Sequence, residues 1–337
     1  MLSCLVTSSL RASPDKTGVR KLNPAQHRLV NRIALQNNGY TASKVVIILA
    51  YPQSNHYQDL NSFRPTAGAE ILSAKNSGAK YVRFTVTGND LPGPGETREI
   101  GYEADLTLYE LEPDFTAEPS VVLPGKRIEA LKKPDRYDKT VLKQLRYFTE
   151  SNLPYVDPNH SAIKGRGRMV MKKSGGSILR YAQNIYDYTS RAYRYLNPNT
   201  GIHPIDQIIQ NGGGDCGNLS SIFISLMRTQ AVPARHLVGI RADNNFHAWA
   251  EFYHPRYGWI PVDVTYKNSN QRGDYFGRIA SRDKAIILHP DVNLIVEKAP
   301  GQSFTAPILQ GFYWWVWGQG SVDGKLVPEQ RISVQPL

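Results

Sequence analysis

Three side chains in one stretch of this sequence have the types that acyl chemistry requires. They are Cys216 in Gly214-Asp215-Cys216-Gly217, His247 in His247-Ala248-Trp249-Ala250-Glu251, and Asp263 in Gly258-Trp259-Ile260-Pro261-Val262-Asp263. A thiol attacks a carbonyl carbon as its thiolate, so it needs a base, and an imidazole base needs a third group to fix its tautomer. A Cys, a His and an Asp in this order read as nucleophile, general base and orienting carboxylate.

Each of the three must be carried by an element that aims it. After Asn211-Gly212-Gly213-Gly214, the apolar residues Leu219, Ile222, Phe223 and Leu226 recur at helical spacing, which predicts a buried helix starting near Cys216 and ending before Pro233. Asp215 is its expected cap. A cysteine in the first turn sits where free N–H groups and the macrodipole favour a thiolate and can hold an oxyanion. The three glycines are expected to clear space in front of the sulfur. Downstream, 235–240 reads as a strand, 246–253 as its antiparallel return and 259–265 as a third strand after a turn centred on Pro255. In that register His247 and Asp263 face each other on one side of the sheet, with Trp249 and Trp259 as candidate cleft walls.

The remainder of the chain supplies the frame. With 337 residues, two domains are expected. Short alternating runs at 45–49, 80–86 and 100–108, broken by Gly, Asn and Pro turns, predict an antiparallel β-sandwich over 21–123. A tail or clipped targeting segment is assigned to 1–20, a proline-marked linker to 124–138 and the catalytic domain to 139–337. Helices are expected over 139–150 and 177–194, the second with Ile178, Tyr181, Ala182, Ile185 and Tyr188 on one face. The aromatic run Phe312 to Trp317 reads as a terminal strand of the catalytic core.

Composition excludes several classes. The two cysteines, Cys4 and Cys216, cannot form a disulfide framework. Apolar runs are no longer than strands, so no membrane-spanning helix is expected. The net charge of +11 is spread along the sequence, with enrichments at Lys132-Lys133 and 164–173, and no nucleic-acid motif accompanies it. Cys216, His247 and Asp263 lack the paired spacing of a zinc site, so neither metal nor cofactor is expected. His236 and His254 are read as surface or packing residues. The first residues lack a complete export signal, so a cytoplasmic chain is expected, with export as the alternative if the start lies inside a longer signal.

The segments Asn211-Gly-Gly-Gly-Asp-Cys-Gly-Asn-Leu-Ser, Val232-Pro-Ala-Arg, His247-Ala-Trp-Ala-Glu-Phe-Tyr and Gly258-Trp-Ile-Pro-Val-Asp-Val-Thr resemble, in order, the core of the transglutaminase-like superfamily. The resemblance implies an α+β fold, with a papain-like or transglutaminase-like catalytic core preceded by an antiparallel β-sandwich. It implies Cys216 as nucleophile, His247 as base and then acid, and Asp263 as orienter, with Tyr195 near the oxyanion site. Val264 stands where the family commonly has proline, which touches none of these roles. The implied chemistry is acyl transfer at a carboxamide or peptide bond of a protein or peptide substrate, cell-wall peptide included, through a Cys-thioester. Water as acceptor gives a peptidase or amidase, and an amine gives a cross-linking enzyme. A non-catalytic binding module with a retained triad stands as the other alternative. Iodoacetamide is expected to label Cys216 much faster than Cys4 at neutral pH, read by peptide mass. Equal, slow labelling of both would remove the case for an activated thiol.

Overall fold

The computed structural model describes residues 18–115, 135–196, 201–268 and 274–337. The tail expected at 1–20 and the linker at 124–138 lie largely outside the described residues, as do Cys4, Lys132 and Lys133. The architecture is α+β, with antiparallel sheets preceding a core of helices and strands.

The first six strands are β1 (Val19–Asn37), β2 (Ala42–Ala50), β3 (Gln58–Pro65), β4 (Ala69–Ser73), β5 (Lys80–Thr87) and β6 (Thr97–Pro113). In β6 the residues Ile100, Tyr102, Ala104, Leu106 and Leu108 are buried at a period of two, as a strand with one core face requires. There follow α1 (Lys139–Gln144), α2 (Ser161–Lys173), α3 (Ile178–Ala192), the short β7 (Arg194–Tyr195), α4 (Ile205–Asn211), the short β8 (Gly213–Gly214) and α5 (Cys216–Arg228). The helix expected over 139–150 is thus shorter, continuing only as a 3-10 turn over Arg146–Thr149. Helix α2 was not expected, because its buried face is Ile163, Gly167 and Val170, and the glycine conceals the helical period. That glycine is where α2 meets the Thr229 side chain so closely that a Cβ would collide with it.

A separate core sheet comprises β9 (Ala234–Arg241), β10 (Phe246–His254), β11 (Gly258–Val262) and, after α6 (Val264–Asn268), β12 (Ala285–Pro290), in the order β11-β10-β9-β12. Helix α5 lies on one face of it. Leu219, Ile222, Phe223 and Leu226 of α5 join Ala250, Phe252, Ile260 and Val262 of the sheet and Tyr181 and Ile185 of α3 in one core. Serine hydroxyls inside this buried helix are satisfied locally, Ser220 and Ser221 donating to the carbonyls of Cys216 and Gly217.

The chain ends with β13 (Leu294–Ala299), β14 (Gln302–Ala306), β15 (Tyr313–Gly318) and β16 (Leu326–Pro336). Strand β15 pairs with β2 and β16 with β1, giving two four-stranded sandwich sheets, β16-β1-β6-β3 and β15-β2-β5-β4. The aromatic run expected to finish the catalytic core is therefore an edge strand of the sandwich, and residues from both ends of the chain build those sheets.

The two layers share apolar core. Leu29, Ile33 and Leu35 of β1 and Ile47 and Leu49 of β2 belong to the same cluster as Ile240 of β9 and Ile286 and Leu288 of β12. A polar strut crosses the same junction. Glu251, 1% exposed on β10, accepts hydrogen bonds from Tyr57 Oη at 2.6 Å and Arg235 Nε at 2.5 Å. Removing Glu251 would leave a buried phenol and a largely buried guanidinium without their acceptor. Glu251→Ala is expected to lower unfolding stability by about 3 kcal/mol and Tyr57→Phe by about 1.5 kcal/mol, measured by urea denaturation. Changes below about 0.5 kcal/mol in both would show that the strut does not hold the layers together.

Candidate active site

Cys216 is the first residue of α5, with Asp215 as its N-cap. Asp215 Oδ1 accepts from Asn218 N–H at 3.2 Å and from Asn218 Nδ2 at 2.8 Å, while Oδ2 accepts from Gly201 N–H at 3.2 Å. The capping role expected for Asp215 is the one it has. Burial pushes its carboxyl above the usual range, and hydrogen bonds from the Asn218, Gly201 and Gly217 N–H groups oppose that.

The glycines before Cys216 do something different from clearing space. Gly212, at φ 66°, ends α4 in the left-handed conformation. Gly213 and Gly214 pair in parallel with Arg194 and Tyr195, and a Cβ on Gly213 would run into the Arg194 carbonyl. One on Gly214 would meet Asn218 Cβ at 2.5 Å. The run therefore permits close backbone approach, and the approach sets the half-buried Tyr195 beside Cys216. Burial raises the Tyr195 phenol pKa, and the nearby charge of Cys216 adds to the shift.

His247 lies on β10 opposite Gly239 of β9. Its Nε2 is 2.6 Å from Asp263 Oδ2, and Cys216 lies near enough to the imidazole to favour its protonated form. The hairpin register differs from the expected one. Pairs His254↔Gly258 and Ala250↔Val262 centre the turn on Arg256, so Asp263 is not directly opposite His247. It lies two positions along the partner strand, which preserves the face. Asp263 sits just beyond the end of β11, where its Oδ1 accepts from Thr265 N–H at 3.0 Å and Tyr266 N–H at 3.2 Å and so caps α6. One carboxylate oxygen is thus tied to a helix start and the other to the imidazole.

Two aromatic rings enclose that imidazole. Trp249 stacks at a centroid distance of 5.6 Å and 18°, and Tyr266 at 5.0 Å and 20°. Trp249 lines a recess beside His247. Trp259, the other candidate wall, does not, since it packs against Phe148 and Tyr253 with Arg235 over its ring. This small recess opens beside the His247–Asp263 pair, lined by Trp249, Tyr266, Tyr275 and Asp283 among others. Burial alone would lower the His247 pKa. The Asp263 charge and hydrogen bond, with Cys216 adding to them, more than offset it, and the pKa is pushed up to about 10.

Tyr266 and Gln310 were missed in the sequence. Tyr266 had a signal, lying three residues after Asp263 within the first turn of the helix that Asp263 caps. Gln310 had none, because it is remote in sequence; its Nε2 donates to the carbonyls of Gly239 at 3.2 Å and His247 at 3.1 Å, joining the two strands at the catalytic end. His236 and His254, read as surface or packing residues, are both fully buried. His236 Nε2 lies 3.1 Å from Ser221 Oγ and 3.3 Å from the Gly217 carbonyl, under the first turns of α5.

A folded-state pKa above the unfolded value means that His247 binds its proton more tightly in the native protein. Its contribution to stability is full below about pH 6.5 and is lost as pH rises through about 10. The stability difference between wild type and His247→Gln, measured by urea denaturation, should therefore shrink across that window. A difference independent of pH would contradict the ion pair.

Residues 168–264 match the transglutaminase-like superfamily. A segment of 101 residues is 25% identical to a protein-glutamine gamma-glutamyltransferase of Pseudomonas aeruginosa, covering 26% of this chain and 15% of that protein's length. Across nearly the whole chain, a candidate cysteine protease from Cytophaga hutchinsonii has a similar fold, at a TM-score of 0.55, 16% identity, 95% of this chain and 93% of that one. The periplasmic domain of TgpA from Pseudomonas aeruginosa is also similar, at a TM-score of 0.38, 13% identity, 75% of this chain and 91% of that one. The cytoplasmic location expected from the first residues is withdrawn on this last comparison, in which the similar chain is a periplasmic domain. The fold around Cys216, His247 and Asp263 is of the transglutaminase-like, cysteine-protease-like kind.

Proposed function

We propose that the protein is a thiol-dependent acyltransferase that forms a thioester at Cys216 from a carboxamide of a protein or peptide and passes the acyl group to an amine. The observation that carries this reading is one enclosed imidazole whose Nε2 lies 2.6 Å from the Asp263 carboxylate, with Cys216 nearby at the head of α5. His247 accepts the thiol proton, and Asp263 fixes the ring and stabilises the imidazolium. The high proton affinity of His247 suits a thiolate–imidazolium pair. The thiolate adds to the amide carbon, and the oxyanion is met by the Cys216 N–H, with the Tyr195 ring nearby. His247 returns its proton to the departing nitrogen, releasing ammonia from a glutamine side chain. An incoming amine then loses a proton to His247 and attacks the thioester, the thiolate leaves, and a new amide bond remains.

Amine rather than water is favoured as acceptor by the partial likeness to a protein-glutamine gamma-glutamyltransferase. Hydrolysis by the same groups needs only water in place of the amine. In this proposal the sandwich, built by β1–β6 together with β15 and β16, braces the catalytic segment that begins at 139.

Incubating the protein with a glutamine-containing peptide and a primary amine should give a product that has lost ammonia and gained the amine, read by mass. Cys216→Ala should abolish the product, and Asp263→Asn should slow its formation about 10²- to 10⁴-fold. Deamidation or backbone cleavage despite excess amine would replace transfer by hydrolysis. No change with any peptide would favour a binding module.

A further inference from the structure

Helix α2 stands apart from the chemistry of Cys216. It carries Lys164, Arg166, Arg168, Lys172 and Lys173 and no acidic residue. Its apolar face, Ile163, Gly167 and Val170, is turned inward, with Gly167 against Thr229 at the end of α5. Lys164, Arg168 and Lys172, spaced four apart, share the exposed face. The acidic groups beside this face are engaged elsewhere. Glu150 pairs with Arg146 at 2.6 Å, Asp206 with His160 at 2.9 Å, and Asp157 accepts from Asn159 N–H at 2.8 Å. The cations thus keep their charge for an outside partner.

Two further features narrow the partner. Lys164 and Arg168 line a groove together with Glu150 and the polar Thr149, Ser151 and Asn159, among others; the two exposed cations outnumber the one carboxylate, and the hydroxyl and amide groups can receive the polar substituents of a phosphate. Two large apolar side chains on the same segments are exposed. Met169, between Arg168 and the two lysines, is 42% exposed, and Leu153, in the loop bordering the groove, is 59% exposed. Cations around protruding apolar side chains suit a lipid headgroup layer, where the charges meet phosphates and the tips reach the acyl boundary. A soluble acidic peptide offers nothing to the tips.

We propose that the α2 face and its groove form a docking surface for an anionic phospholipid membrane. The placement is compatible with catalysis. Thr229 follows the last residue of α5 and Cys216 is the first, so the thirteen-residue helix separates the docking face from the thiol by about 20 Å. A docked molecule keeps its cleft away from the lipid, open to substrate.

The test is co-sedimentation of the full chain with phosphatidylcholine vesicles that contain or lack phosphatidylglycerol. Binding is expected only with phosphatidylglycerol, weakening as salt is raised. The exposed triple variant K164E/R168E/K172E should lose more than about tenfold in partition coefficient while unfolding like wild type. Met169→Ser should weaken the binding that survives at high salt. Equal sedimentation with both vesicle types would overturn the proposal, as would a triple variant that binds like wild type. Capture by soluble poly-glutamate without sedimentation on phosphatidylglycerol vesicles would also overturn it, in favour of an acidic protein partner. All of these readouts are independent of chemistry at Cys216, so they stand or fall apart from the acyl-transfer reading.

Discussion

The Asp263 carboxylate joins the fold to the candidate chemistry. One oxygen accepts two backbone N–H groups at the start of α6, and the other lies 2.6 Å from His247 Nε2. A carboxylate whose oxygen is committed to a helix cap cannot swing away from the imidazole, so its direction is set by backbone geometry rather than by a free side-chain rotamer. The residue's own N–H donates to the Tyr275 carbonyl, which fixes the turn from β11 into α6. The His247 orientation, its tautomer and its raised pKa follow from that one placement. Tyr266, arriving one turn later on the capped helix, covers a face of the ring that Asp263 holds.

The sulfur is presented by a second rigid part. Helix α5 is buried almost along its whole length, and its head is held from several sides: Asp215 caps it, Gly213 and Gly214 bring the β7 backbone against it, and His236 lies under the Gly217 carbonyl. A nucleophile on such an element has little freedom to wander, which is the condition for a thiol and an imidazole to stay in register. The sheet that carries His247 is braced from the other side by the sandwich, through shared apolar core, the Tyr57–Glu251–Arg235 strut and the Gln310 clamp. The sandwich therefore bears on the geometry of the candidate site although it contributes none of Cys216, His247 and Asp263.

Local information accounts for the parts that were legible beforehand. The helix at Cys216 and its cap were readable because apolar spacing and an Asp at the right position are properties of a dozen adjacent residues. So was the face shared by His247, Trp249 and Asp263, because side-chain alternation survives a register change of two. The turn centre did not survive, since the choice between Pro255 and Arg256 rests on how the loop closes between packed strands. Helix α2 was obscured by glycine at its contact point, and the purpose of Gly213 and Gly214 was misjudged because the strand they touch is not their neighbour in sequence.

By itself the sequence determined which residue types could cooperate, the order in which they come and the kind of element that carries each, because propensity, capping and periodicity act over a few residues. Only the tertiary structure decided that Asp263 reaches His247 from a helix cap, that Trp259 packs against Phe148 and Tyr253 farther along the same face, that the aromatic β15 returns to the sandwich and that Gln310 holds the His247 strand. Those outcomes depend on contacts between segments far apart along the chain, and long-range burial and hydrogen bonding select among arrangements that local patterns allow equally.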